Sequence, residues 1–139
     1  MILGIGTDLV QVSRMERIVE KEASLQRLFT PSELDYARGR RDFTETCAGL
    51  FAAKEAVGKA LGCGLGGLGF HDVEILHQEG GAPEVLLHGA ALEKMKALGG
   101  KRMRLSIAHD GGFAQAVALM EGMDHREWEK EDACPRKES

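Results

Sequence analysis

Between Asp42 and Leu61 the chain carries its longest helical pattern, and the pattern runs directly into Gly62-Cys63-Gly64-Leu65-Gly66-Gly67-Leu68-Gly69. At about 100° per residue, Cys47, Leu50, Phe51, Val57, Gly58 and Leu61 fall on one face, so this helix must lie with an apolar stripe against a core. Lys54 projects onto the middle of that stripe. Burying an ammonium without a partner is costly, so Lys54 either snorkels to solvent or meets an anion. Glu55 stands at the edge of the stripe, with Lys59 beside it one turn later. Five glycines in the following eight residues are too many for a helix or a strand. They read either as a helix C-cap and loop or as backbone that approaches an anion closely.

A chain of 139 residues leaves room for one domain around this helix, and a composition of 43% hydrophobic and 29% charged residues is that of a soluble globular protein. A core of this size gives little space for a large cleft inside one subunit, which favours clefts built between subunits. No run of eighteen apolar residues occurs and the N-terminus lacks a basic, long-apolar leader, so the protein is expected in the cytoplasm with no membrane partner. Cys47, Cys63 and Cys134 are odd in number, widely spaced and without a C-x-x-C pair, and they read as free thiols. The net charge is -4, of which the stretch from Glu121 to Ser139, with seven acids and four bases, carries -3. From Arg14 to Arg41 seven bases face five acids. That excess either attracts an acidic partner or belongs to a solvated helical face. Nucleic acid is excluded as a partner, because there is no dense basic stripe and Trp128 and Tyr36 stand alone.

Local patterns outline the remaining elements. Ile2 to Val10 reads as a strand broken by Gly4 and Gly6, and Ser13 to Glu22 as a helix with Met15, Ile18 and Val19 on one face. Thr30-Pro31-Ser32-Glu33 is a helix start, with Thr30 as N-cap, Pro31 at the first position and Glu33 closing a capping box; its helix runs to about Arg38. Phe70 to Gln78 and Glu84 to His88 form a hairpin, Gly89 to Leu98 a helix, and Met103 to His109 and Phe113 to Met120 a hairpin around Asp110-Gly111-Gly112. Hairpin-linked strands with segregated helices give an α+β fold: an antiparallel sheet with helices packed on it, in a single-domain protomer. Residues 122–139 form a charged C-terminal tail that is expected to be disordered.

Asp8, at the end of the first strand, and Glu55 supply hard oxygen ligands with no histidine or thiol beside them, a donor set that suits Mg²⁺ better than zinc. The alternative is that Asp8 merely ends a strand and Glu55 pairs with Lys59. Lys54, Lys59 and the glycines 62, 64 and 66 together resemble an anion cradle, although no Walker A or Rossmann pattern is present. His109-Asp110 enters a turn, where the imidazole can take a proton or bind a phosphate and Asp110 can be an ordinary turn residue. His71, His77, His88 and His125 show no ligand spacing.

Four co-linear segments, Ile5-Gly6-Thr7-Asp8-Leu9-Val10, Phe51-Ala52-Ala53-Lys54-Glu55-Ala56 with Lys59-Ala60-Leu61-Gly62, Phe70-His71-Asp72-Val73-Glu74-Ile75, and Ser106-Ile107-Ala108-His109, resemble the holo-[acyl-carrier-protein] synthase family, the short AcpS-type branch of the 4'-phosphopantetheinyl transferases. The resemblance covers residues 1–121. It implies a phosphopantetheinyl transferase domain over those residues, with transfer of 4'-phosphopantetheine from coenzyme A to a serine of an apo acyl carrier protein, of fatty-acid or polyketide assembly, and release of adenosine 3',5'-bisphosphate. In that picture Asp8 and Glu55 are the Mg²⁺ ligands. Lys54, Lys59, Gly62, Gly64, Gly66 and His109 lie at the coenzyme A site, and Glu55, Lys59, His109 and Asp110 serve catalysis. The His109-Asp110 pair, Glu55 or a metal-bound water takes the serine proton. Arg14, Arg17 and Lys21 meet the acidic carrier protein, with Met15 and Ile18 as apolar contacts. The family's homotrimer, with active sites between neighbouring chains, is implied as well. Two positions depart from the family pattern: Leu50 stands where arginine is common, leaving Arg40 or Arg41 to supply that contact, and the usual G-K-P turn is Gly81-Ala82-Pro83.

Overall fold

A computed structural model of the chain describes residues 1–123. The elements follow in the order β1 (Ile2–Gln11), α1 (Val12–Val19), α2 (Glu22–Leu28), α3 (Pro31–Arg38), α4 (Phe43–Ala60), β2 (Val73–His77), β3 (Pro83–Leu87), α5 (Gly89–Ala97), β4 (Gly100–Asp110) and β5 (Phe113–Gly122), with short 3-10 turns at Leu65–Gly67 and Phe70–Asp72. The expected α+β architecture is present: β1, β5 and β4 form an antiparallel sheet in that order, and β2 and β3 form a separate hairpin.

The sheet is built to receive α4. Its inner face carries Ala114, Ala116 and Ala118, all fully buried, and α4 answers with Ala52, Ala53, Ala56 and Ala60. On β1 the inward positions are Gly4, Gly6, Asp8 and Val10, as the alternating burial of the strand requires. A Cβ at Gly6 would lie 1.9 Å from the Ala56 carbonyl oxygen, and one at Gly4 would lie 2.1 Å from that of Ala60. Strand and helix therefore touch backbone to backbone. The outer face of the same sheet leaves Ile5, Leu9 and Phe113 exposed at 66%, 62% and 41%.

The Thr30 capping box forms as read from sequence, and α4 has in addition a cap at Asp42 that the sequence reading did not assign. Thr30 Oγ1 accepts the Glu33 N–H while Glu33 Oε1 accepts the Thr30 N–H, and Asp42 Oδ1 accepts the Glu45 N–H at the head of α4. Four boundaries differ, one of them the start of β4, which lies at Gly100 and not at Met103. The helix expected over Ser13 to Glu22 is two helices, because the apolar stripe Met15, Ile18, Val19 lapses at Glu22 and restarts at Leu25 and Leu28, with Lys21 in extended conformation between them. The strand expected from Phe70 begins at Val73, since the Asp72 carboxylate accepts the Gly69 N–H and turns the chain first. Gly122, expected in the tail, is the buried last residue of β5, and its N–H donates to the Met1 carbonyl. The remainder of the tail, with Cys134, lies outside the described residues. No helix among the described residues is long and apolar enough to cross a membrane.

Candidate active site

The close approach of β1 to α4 brings Asp8 and Glu55 together. The Asp8 side chain is the next inward group after Gly4 and Gly6, and Glu55 lies on the adjoining edge of α4. Burial pushes the Glu55 carboxyl above the usual carboxylate range, and the Asp8 charge pushes it further, while Lys59 opposes both. Lys59 Nζ donates to Asp8 Oδ1 at 3.1 Å and to the Thr7 carbonyl at 2.9 Å, so it leans on Asp8, not on Glu55 as helical spacing alone implies. Its side chain remains half exposed. Among the described residues no three His, Cys, Asp or Glu side chains converge as a ready-made metal site. Two mutually repelling carboxylates without nitrogen or sulfur donors suit a hard cation that keeps waters and takes phosphate oxygens.

Lys54 meets an anion, but an internal one. Its Nζ lies 2.6 Å from Glu33 Oε1, donates to the Phe70 carbonyl at 2.7 Å and sits 5.8 Å from the Phe29 ring centroid, with both charged side chains fully buried. Glu33 Oε2 also accepts the Ile75 N–H at 2.9 Å. Burial pulls the Lys54 ammonium below the usual amine range and Glu33 pulls it back. The expectation that Lys54 binds cofactor phosphate is thus corrected. It is the centre of a buried pair that ties α3, α4 and β2 together.

The glycine run is corrected in part. The N–H groups of Gly62, Cys63 and Gly64 donate to the Lys59 and Gly58 carbonyls, closing the C-terminus of α4. Gly62 and Gly64 adopt φ of +83° and +62°, which the closure needs. Their amides are therefore committed to the helix and do not cradle an anion. Gly66 lies exposed in the turn that follows.

His109 faces the other end of α4. Its Nε2–H donates to the Glu45 carbonyl at 3.1 Å, which leaves Nδ1 as the accepting nitrogen of the neutral ring. The ring rests on Gly49, where a Cβ would stand 2.7 Å from Nε2. Asp110, one residue on along the strand, faces the opposite side of the sheet. The expected His109-Asp110 couple is therefore not one functional unit. Within one chain His109 and Asp8 are also apart. They lie on strands separated by β5, two residues out of register, about 12 Å between backbones by the usual strand spacing and rise.

His109 lines a cavity of about 670 Å³ with Arg40, Arg41, Glu45, Gly49 and Leu50. Leu50, almost fully buried, offers that cavity no charge.

On α1, Arg14 and Arg17 are exposed and Ile18 is half-buried. Met15 is 1% exposed and belongs to the core, so it cannot touch a partner. Lys21 caps the start of α2 instead of extending the α1 face. Reading the sequence also missed Glu33 as the partner of Lys54, and it assigned nothing to His77, which with Tyr36 lines the cavity around His109. The signal for Glu33 was the capping box itself, which holds Oε1 at the head of α3, where Lys54 shares it, while Oε2 takes the Ile75 N–H.

Residues 4–118 match the family model described as the 4'-phosphopantetheinyl transferase superfamily. The chain is 46% identical over 127 residues to a holo-[acyl-carrier-protein] synthase of Clostridium perfringens, covering 88% of this chain and 96% of that protein. It is 48% identical over 124 residues to the enzyme of the same name from Desulforudis audaxviator, covering 88% and 95%. The fold is similar to the crystal structure of the Neisseria meningitidis holo-[acyl-carrier-protein] synthase, with a TM-score of 0.78 at 35% identity over 87% of this chain and 99% of that one. It is also similar to the Helicobacter pylori enzyme in complex with coenzyme A, with a TM-score of 0.74 at 37% identity over 84% and 99%.

Proposed function

This chain belongs to the 4'-phosphopantetheinyl transferase superfamily, and from that premise we propose that it transfers 4'-phosphopantetheine from coenzyme A to a serine of an apo acyl carrier protein. The serine oxygen bonds to the phosphorus of the pantetheine phosphate, the diphosphate P–O bond breaks, and adenosine 3',5'-bisphosphate leaves. The observation that carries this reading is the pairing of Asp8 and Glu55 beside Lys59, held by the glycine contact of β1 with α4.

Asp8 and Glu55 would hold Mg²⁺. When bound, that ion neutralises charge on the diphosphate and on the leaving bisphosphate. Lys59, half exposed and hydrogen-bonded to Asp8, swings the short distance to a phosphate oxygen. The serine proton goes to Nδ1 of His109, whose orientation is set from behind by the Glu45 carbonyl. Gly66 is the member of the glycine run left to approach the coenzyme A phosphates. The separation of His109 from Asp8 within one chain, together with exposed Ile5, Leu9 and Phe113, supports assembly through the outer sheet face as a homotrimer in which a neighbouring copy completes each site. Arg14 and Arg17, with Ile18 and neighbouring Lys21, receive the acidic carrier protein. The transferase domain runs from residue 1 through Gly122, the last residue of β5, and the free thiols Cys47 and Cys63 accord with a reducing cytoplasm.

The test is mass spectrometry of an apo acyl carrier protein incubated with the protein, coenzyme A and Mg²⁺. The carrier gains the phosphopantetheine mass with the wild type and not with Asp8→Asn or in the presence of chelator. Full transfer by Asp8→Asn overturns the assignment of the metal pair, and no transfer to any carrier protein by the wild type overturns the function.

A further inference from the structure

One wall of the cavity beside His109 contains an arrangement that the transfer step does not use. The rings of Tyr36 and His77 are stacked at 3.7 Å between centroids and 4° between planes. The Arg40 guanidinium lies over the Tyr36 ring, 5.4 Å from its centroid. All three residues line the cavity. Arg38, a turn away, is neutralised by Glu22, but among the described residues neither Arg40 nor Arg41 has a carboxylate within ion-pair distance. Asp42 and Glu45 line the same space, yet the Asp42 carboxylate already caps α4. Two guanidinium groups without an ion-pair partner among the described residues therefore border a void large enough for a nucleotide.

His77 is the odd member of this wall. Its Nδ1 is buried without a hydrogen-bond partner. Burial, and after it the Arg40 charge, holds the imidazole below the usual histidine range. A neutral imidazole in this position offers Tyr36 a flat face and makes no polar bond through Nδ1. Its stack therefore serves to fix the Tyr36 ring. A guanidinium resting on a fixed aromatic face loses less side-chain freedom when it grips an anion.

Coenzyme A carries two anionic parts: the diphosphate, which the site of Asp8, Glu55 and Lys59 would take, and a phosphomonoester on the ribose, which stays with the leaving nucleotide. We propose that Tyr36 and His77 are positioning residues that hold Arg40 for that phosphomonoester, an inference that rests on coenzyme A being the donor.

Calorimetry on the full chain with adenosine 3',5'-bisphosphate and with adenosine 5'-monophosphate measures the preference for the ribose phosphate directly. The wild type prefers the bisphosphate, and Arg40→Ala lowers that preference about tenfold, the value of one charge-assisted contact. His77→Ala, which removes no charge from the ligand's reach, lowers it severalfold. His77→Phe keeps a flat ring and restores it, and Tyr36→Leu, on the other side of the stack, repeats the loss. No preference in the wild type, an unchanged preference in Arg40→Ala, or equal behaviour of His77→Ala and His77→Phe overturns the proposal. The carrier-protein transfer assay separates the two failures. Transfer with an unmoved preference defeats this inference alone, whereas a chain that binds the bisphosphate selectively but transfers nothing defeats the donor reading.

Discussion

Replacing Lys54 by methionine is expected to damage the fold more than the chemistry. Methionine fills much of the same volume but removes the 2.6 Å contact to Glu33 and the donation to the Phe70 carbonyl. Glu33 keeps the Thr30 and Ile75 N–H donors, yet its charge is left fully buried with no counter-ion. Breaking a buried pair from one side costs about 3–5 kcal/mol, a large share of the roughly 5–15 kcal/mol that holds a domain folded. With a urea m-value of about 2 kcal/mol per M, the unfolding midpoint should fall by about 2 M. Adding Glu33→Gln to Lys54→Met removes the stranded charge and should recover part of that loss, so the two substitutions are strongly non-additive. Urea unfolding followed by circular dichroism measures both, and transfer at low temperature, where the variant remains folded, should retain the wild-type KM for coenzyme A. A midpoint within about 0.5 M of wild type, corresponding to roughly 1 kcal/mol, together with a raised KM, would refute the reasoning and put Lys54 back on the phosphate.

Two further outcomes follow from the β1–α4 contact. Gly6→Ala forces the strand off the Ala56 carbonyl. It should cost about 1–3 kcal/mol by overpacking and, with Asp8 and Glu55 as the proposed Mg²⁺ ligands, weaken transfer beyond that loss, checked by unfolding and by the Mg²⁺ concentration needed for half-maximal rate. Glu55→Gln should abolish transfer while stabilising the metal-free protein. Because burial and Asp8 raise the Glu55 carboxyl above its unfolded value, its stabilising contribution is complete below about pH 4.5, the unfolded value, and is lost as pH rises through the folded one. In chelator, melting temperatures of wild type and Glu55→Gln should therefore diverge in favour of the variant as pH increases; wild type melting higher at neutral pH would contradict that sign.

What the amino-acid order made legible was local. The Thr30 capping box, the span of α4 and the turns at Gly81 and Gly111 depend on residues within a few positions of one another, and each formed close to where expected. Lys54 shows the boundary of that logic. A buried ammonium demands an anion, but the identity of the anion depends on how α3 docks against α4, and Glu33 takes the role expected of a ligand phosphate. Met15 illustrates a competing claim on one residue, since a helical apolar position can serve core or partner, and burial decided for the core. His109 and Asp110 are adjacent in sequence, but strand alternation divides them between two faces. The Tyr36–His77 stack joins α3 to the end of β2, so no spacing rule could have found it.

Main-chain contact at Gly4 and Gly6 means that the gap between the strand and the helix is set by the radii of backbone atoms, which do not change with rotamer or temperature as side-chain packing does. The span across the acidic pair thus has a built-in gauge. Libraries that redesign the alanine-rich interior can vary the bulk around this seam, but the two positions without a side chain must be held constant if the spacing of Asp8 and Glu55 is to survive.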